Sequence, residues 1–321
     1  MGETHLRNLT GLSGVRVLAV ADPNREASER GKALANAEVA LTEIEEAINH
    51  PGVDAVVIIT PTETHARLIE LAVQAGKAVF SEKPIALDLA ETERVVKLAE
   101  EKDASVQIGF MRRFDPGYAG AKSKIEAGEL GKLETFRALS RDTYPPSLKF
   151  LLSSGGLFLD MAVHDLDLAR FLVGDVEEVQ AWGSVLIDER FAQANDADTA
   201  VTMLRFKNGV LGVVETSRRS NWGYDIRTEV AGSIGKVVVE AAQKTPLLFA
   251  RDFACSYDHF ENFPDRFEKA YRLQLESFFK DLQAGRKPSP GPGDALESLR
   301  LAIAVTKSWK ESKPVKVSEV Q

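Results

Sequence analysis

Apolar runs and amphipathic stretches take turns along the first third of the chain. Val15 to Ala21 is a branched apolar run, stopped by Asp22-Pro23-Asn24, which opens a helical stretch from Arg25 to Asn36. Val39 to Leu41 is a short strand, and Thr42 with Glu45 has the spacing of a capping box for a helix reaching Asn49. Asp54 to Thr60 is a continuous apolar run, as a parallel strand covered on both faces requires. Thr60-Pro61-Thr62 then turns into a helix ending at Ala75, with Gly76 as its stop. Ala78 to Phe80 is the next strand, Asp88 with Glu91 caps a helix to Lys102, and Ser105 to Gly109 returns as a strand. Strand and helix in strict alternation predict an α/β fold built on a doubly wound parallel sheet.

After Phe110 the period changes. A helix from Pro116 to Ala127 precedes an alternating strand at Leu133 to Arg141, a loop at 144–154 and a helix carrying Asp160 and His164 to Leu172. Strands at Glu177 to Val185, Asp198 to Phe206, Val210 to Ser217, Asp225 to Ala231 and Val237 to Glu240 follow in quick succession. Short sequential strands joined by turns such as Lys207-Asn208-Gly209 predict a large open antiparallel sheet. Helices at Phe267 to Ala284 and Pro292 to Lys310 close the chain. The expected division is residues 1–110 as one domain and 111–321 as a second, α+β domain.

Composition narrows the class. With 321 residues, 44% of them hydrophobic, the chain can bury two cores. A formal net charge of −8 argues against nucleic acid or an anionic membrane as the main partner. The single cysteine, Cys255, rules out an internal disulfide framework and a cysteine-based zinc site, and it suits a cytoplasmic setting. The polar start and the lack of a long apolar window predict a soluble protein without a leader or anchor.

Two segments carry the chemistry. Ser81-Glu82-Lys83-Pro84 places a lysine at a strand end, and Gly155 to Asp165 places Asp160 and His164 four residues apart on a helix, hence on one face. A lysine, an aspartate and a histidine form a proton-transfer set, and a histidine's ordinary pKa of ~6.5 suits it to base work near neutrality. The acid that receives a ribose hydroxyl in a dinucleotide site lies about 20 residues beyond a Gly-x-Gly-x-x-Gly turn, and Asp22 stands at that distance from Gly2. Gly2 thus reads as the last glycine of a fingerprint whose strand and first glycines lie ahead of Met1, a loss expected to weaken cofactor binding. A carboxylate at Asp22 favours NAD over NADP, while Arg25 just beyond it could accept a 2′-phosphate.

The acid-ended strand Val17 to Asp22, the Thr60-Pro61-Thr62-Glu63-Thr64-His65 loop, Glu82-Lys83-Pro84, the Gly109 to Asp115 junction and the Gly155 to Asp165 helix together resemble the Gfo/Idh/MocA oxidoreductases, and within them the inositol 2-dehydrogenases. The resemblance implies a Rossmann-type first domain and oxidation of a secondary alcohol with NAD. It implies His164 as the base, Lys83 on the reacting oxygen, and Asp160 orienting the pair. It implies a cis Lys83-Pro84 bond as well. Cofactor contacts implied are Gly2, Asp22, Thr60, Pro61, Thr62, His65, Glu82 and Lys83; substrate contacts implied are Lys83, Arg113, Asp160, His164, Tyr224 and Asp225.

Blander readings stand beside these. His65 is as consistent with helix packing as with ring contact, and Asp22 with capping the next helix. Asp165 and Asp167 read as surface or packing charges, Asp196 and Asp198 as turn formers rather than metal ligands, and His5, His50 and His259 carry no assigned role. The expected activity is oxidation of a cyclic polyol, myo-inositol first, with scyllo-inositol or another sugar as the alternative. A different class remains open: a non-catalytic truncated relative acting as a binding partner. An apolar open sheet predicts a homo-oligomer, a tetramer or dimer.

Overall fold

The computed structural model describes residues 1–320, which divide into two compact units. The first comprises Met1–Phe114 and Lys269–Glu297; the second comprises Asp115–Glu268 and the chain from Ser298 onward. The expected boundary at 110–111 therefore falls four residues later, and the segment 269–297 returns to the first unit. Its Leu275 and Phe278 explain the return, since both are fully buried in one apolar cluster with Leu9, Leu12 and Phe80.

In the first unit the chain runs α1 (Gly2–Thr10), β1 (Ala19–Ala21), α2 (Arg25–Ala35), β2 (Val39–Leu41), α3 (Ile44–Asn49), β3 (Ala55–Ile58), α4 (Thr62–Gln74), β4 (Ala78–Glu82), α5 (Leu89–Glu101) and β5 (Val106–Gly109). All strand pairs are parallel, as the apolar runs predict. Asn24 and Asp88 cap α2 and α5 through their side chains. The Thr42/Glu45 capping box does not form: α3 begins a residue late, with Glu43 at its cap and no side-chain bond. Gly76 stops α4 with φ +71°, a conformation that costs glycine little.

The sheet is in two pieces. β1 pairs only with β2, and β3-β4-β5 form a separate sheet; no strand among the described residues lies between β1 and β3. A cavity of about 1390 Å³ occupies that position, bounded by both strands and by α1.

The second unit contains α6 (Pro116–Glu126), β6 (Leu133–Arg141), α7 (Leu148–Ser153), a π-helical turn (Phe158–Ala162), α8 (Val163–Leu172), β7 (Val176–Ser184), α9 (Arg190–Gln193), β8 (Thr199–Phe206), β9 (Leu211–Ser217), β10 (Asp225–Gly232) and β11 (Lys236–Val239). It continues with an exposed hairpin of β12 (Phe249–Arg251) and β13 (Ala254–Ser256), then α10 (Phe263–Arg266); α11 (Glu268–Gln283) and the first turns of α12 (Pro292–Glu311) belong to the first unit, and the rest of α12 leads to β14 (Val315–Lys316) in the second. Seven strands form one sheet in the order β11-β10-β6-β9-β8-β7-β14. The sheet is mixed rather than purely antiparallel, because β6 and β9 pair in parallel. One face is buried by period-two alternation, with Ala200, Thr202, Leu204 and Phe206 of β8 inside; the other leaves Trp182, Val201, Met203 and Leu211 largely exposed.

Candidate active site

In the first unit, candidate groups gather at the carboxyl ends of the strands, where doubly wound sheets bind ligands. Asp22 follows β1, half-buried, and accepts a hydrogen bond from the Asn24 amide at 2.8 Å. The cap of α2 is Asn24, so Asp22 does not serve in that role. Thr60 and Pro61 follow β3, and Thr62 opens α4.

His65, one turn into α4, is 2% exposed. Its Nδ1 lies 2.7 Å from the carbonyl oxygen of Pro84, and its Nε2 lies 2.8 Å from that of Thr60. The ring therefore braces the loop after β3 against the turn after β4. A neutral ring has one N–H, so it donates to one of these carbonyls and only contacts the other, and packing is the reading that its geometry favours.

Lys83 follows β4 at once, and its bond to Pro84 is cis. Glu82 faces His5 of α1, with Nε2 and Oε1 2.8 Å apart and the ring 1% exposed. His5 thus has a role that inspection of the sequence does not give it: it ties α1 to the end of β4. Gly109 sits against the same carboxylate, where an added Cβ would lie 2.8 Å from Glu82 Oε2. Arg113 donates to Asp294 at 3.1 Å, its side chain 9% exposed, an ion pair within the first unit.

In the second unit Asp160 lies in the π-helical turn and His164 in the first turn of α8. The wider turn changes the simple helical stacking expected of a four-residue spacing; such turns recur at functional sites. The Asp160 carboxylate accepts from Arg218 Nη2 at 2.8 Å, and Asp142 accepts from Arg218 Nη1 at 2.9 Å. Arg218 is 4% exposed. Burial works against its charge, yet Asp160 and Asp142 outweigh that penalty and hold the guanidinium above its ordinary pKa. The only local sign of this residue is an arginine just past the last alternating position of β9, 58 residues from Asp160.

Asp196 meets the start of the same region, accepting from the Leu157 amide at 3.1 and 3.0 Å. Burial pushes its carboxyl pKa up, with the Leu157 and Ala197 amides opposing. Asp198, fully buried, accepts from the successive amides of Leu186, Ile187 and Asp188. Asp165 and Asp167 are buried rather than superficial, and accept from Ser140 and Ser298 respectively. Tyr224 and Asp225, expected at the substrate, are both buried: Tyr224 packs edge-on against Phe267, and the Asp225 carboxylate is bridged by Arg227 and the Trp222 ring N–H.

The first unit's geometry fits a dinucleotide in two respects. No side chain caps the first-turn amides of α1 at Gly2, which are donors suited to a phosphate, and Asp22 presents a carboxylate to a ribose hydroxyl at the end of β1.

Comparison with known proteins bears on both units. Residues 1–110 match the family model described as oxidoreductase family, NAD-binding Rossmann fold, and residues 118–238 match the GFO/IDH/MocA C-terminal domain. The chain is similar to the myo-inositol 2-dehydrogenase of Thermotoga maritima, with 38% identity over 100% of this chain and 96% of the relative. It is also similar to the scyllo-inositol 2-dehydrogenase (NAD(+)) of Bacillus subtilis, 36% identical over 99% of this chain and 93% of the relative. Among solved structures, the scyllo-inositol dehydrogenase of Lactobacillus casei with bound NAD(H) and scyllo-inositol superposes with a TM-score of 0.92 at 27% identity, covering 99% of this chain and 96% of that one. Full-length identity of this order leaves one assignment: the chain belongs to the Gfo/Idh/MocA oxidoreductases, and its first unit is of that family's NAD-binding Rossmann type.

Proposed function

We propose that this protein is an NAD-dependent dehydrogenase of a cyclic polyol, oxidising one ring hydroxyl of myo-inositol to the corresponding ketone. The observation that carries the reading is Asp160, anchored by a buried arginine in a π-helical turn directly ahead of His164, in a chain whose full-length relatives include a myo-inositol 2-dehydrogenase. NAD, when bound, takes up the hydride. His164 accepts the hydroxyl proton, Lys83 hydrogen-bonds the reacting oxygen, and Asp160 orients them. Cofactor contacts fall to Gly2, Asp22 and the Thr60-Pro61-Thr62 loop, with Glu82 and His65 supporting Lys83 from behind. Scyllo-inositol is a second reading, favoured by the relative from Bacillus subtilis.

The test is NAD reduction, followed by absorbance, with myo-inositol, scyllo-inositol and glucose compared. It is run on the chain and on a form extended ahead of Met1 by an apolar strand and a Gly-x-Gly turn. Reduction with myo-inositol above the other two, lost on His164→Ala, supports the proposal. NAD binding without turnover of any of the three sinks it.

The exposed apolar face with Trp182, Val201, Met203 and Leu211 supports a homo-oligomer built through the open sheet. A monodisperse monomer in light scattering refutes that. No described helix is long and apolar enough to cross a membrane. The lone thiol, Cys255, is exposed, which supports a reducing cytoplasmic setting.

A further inference from the structure

Lys83 is flanked by two residues, and each of them is held by a histidine from a different helix. On one side His65 of α4 sets its Nδ1 2.7 Å from the Pro84 carbonyl oxygen. On the other, His5 of α1 sets its Nε2 2.8 Å from Glu82 Oε1, and among the described residues no other hydrogen bond reaches the Glu82 side chain. Glu82 is the last residue of β4. Side chains two apart on a strand share a face, so Glu82 lies in one row with Phe80. The His5 ring covers that row, with its centroid 5.7 Å from the Phe80 ring and 5.7 Å from the ring of Tyr271 on α11. Gly109 of β5 is the register partner of Glu82 and closes the other side of the carboxylate, where an added Cβ would lie 2.8 Å from Oε2.

Stability alone does not ask for this pair. Phe80 belongs to the apolar cluster with Leu9, Leu12, Leu275 and Phe278, and His5, 1% exposed, sits against it. The Nδ1 of His5 is buried and finds no hydrogen-bond partner in the protein, which is a cost. Two apolar side chains at positions 5 and 82 would fill the same space, and exchanging a buried polar pair for apolar groups is often neutral or stabilising. Such groups would not fix the end of the strand with the directionality of a hydrogen bond. A lysine reaches its target on a flexible four-carbon stem, so its tip is placed only if its root is fixed. A misplacement of about 1 Å can cost a reaction about 100-fold.

We propose that His5 is a positioning residue for the dehydrogenase reaction: through Glu82 it fixes the root of Lys83 from the side of the sheet that α1 covers. The proposal rests on the reading of Lys83 as the hydrogen-bond partner of the reacting oxygen. His5 acts on the reaction only through Glu82.

The experiment uses matched substitutions in the full chain. His5→Gln keeps an N–H near the place of Nε2, whereas the amide of His5→Asn falls near the place of Nδ1 and is too short to reach Glu82. His5→Leu combined with Glu82→Leu removes both polar groups at once. Each form is read by its melting temperature, by the ¹⁵N order parameter of the Lys83 amide, and by single-turnover NADH formation from myo-inositol. In His5→Asn and in the paired leucine variant the order parameter should fall from about 0.85 to below about 0.6. The single-turnover rate constant should fall about tenfold with its amplitude unchanged. The paired leucine variant should melt within about 4 °C of wild type, and His5→Gln should keep its rate within about threefold.

A Lys83 amide that stays rigid in both His5→Asn and the paired leucine variant overturns the proposal. So does a fall in amplitude at an unchanged rate constant, because that loss is of folded molecules and not of alignment. A His5→Gln form no better than His5→Asn overturns it as well. If the paired leucine variant does not fold, the His5→Gln and His5→Asn pair decides. The order parameter needs no turnover: if no form oxidises myo-inositol, the dehydrogenase reading falls, and the hold of His5 on Lys83 is still judged by the amide.

Discussion

Replacing Arg218 with methionine removes one cation and leaves two carboxylates facing each other. Asp160 and Asp142 share that guanidinium at 2.8 and 2.9 Å, and their side chains are 19% and 25% exposed. Breaking a buried pair by deleting one partner costs about 3–5 kcal/mol. Both acids keep some access to water, which places the loss here at about 2–4 kcal/mol. For a unit of this size each kcal/mol moves the melting temperature by about 2–4 °C, so Arg218→Met should lower it by roughly 5–15 °C. Arg218→Lys should fall between, because one ammonium cannot fork to both acids.

The pH dependence has a definite sign. Arg218 is raised above its ordinary value in the folded state, so its contribution is complete below that ordinary value and is lost only as pH climbs beyond it. On the arginine's account, the difference between wild type and Arg218→Met should stay level from about pH 6 to about pH 9. Calorimetry measures the stability, and steady-state kinetics at a temperature where the variant is folded reads the site: with Asp160 no longer held, kcat should drop at least about tenfold, equivalent to about 1.4 kcal/mol of lost transition-state stabilisation. In a double-mutant cycle, Asp142→Asn should couple to Arg218→Met by more than about 0.5 kcal/mol. An unchanged melting temperature together with additive effects would refute the bridge.

Two further substitutions probe other contacts. Asp196 has a raised carboxyl pKa, so the folded state binds its proton more readily than the unfolded chain, and stability contributed by this group falls as pH rises from the ordinary carboxylate range through the raised value. Asp196→Asn should flatten that slope in urea unfolding measured across acidic pH; an unaltered slope would assign it elsewhere. Gly109→Ala would place a Cβ 2.8 Å from Glu82 Oε2 and push the carboxylate off His5, with an expected loss of about 1–3 kcal/mol, relieved in part by Glu82→Ala. Equal losses in both backgrounds would mean the clash is not with Glu82.

Much of this was legible because it rests on short-range pattern. Val39–Leu41 and Leu133–Arg141 form where the apolar alternation places them, and Asp88 caps α5 as its spacing to Glu91 suggests. What stayed hidden depends on distant partners. The parallel pairing of β6 with β9 crosses about seventy residues, whereas neighbouring strands suggest antiparallel hairpins. Leu275 and Phe278 look like any amphipathic helix face until Phe80 is there to receive them. The π-helical turn at Asp160 leaves no mark in the periodicity, and Arg218 is fixed by acids 76 and 58 residues away. Thr42 and Glu45 show the reverse failure, a good local signal that the chain does not use.

The brace made by His65 has a consequence for any redesign of this enzyme. A single ring spans the carbonyls of residues 60 and 84, closing a loop of the chain much as a cross-link would. The two loops it joins then behave as one mechanical part. An insertion in the Thr60 loop displaces the turn bearing Lys83 even where it touches nothing there, so libraries that vary one loop alone will sample mostly broken frames. Productive variation at this end of the sheet has to treat both loops, and the histidine between them, as a single inherited cassette.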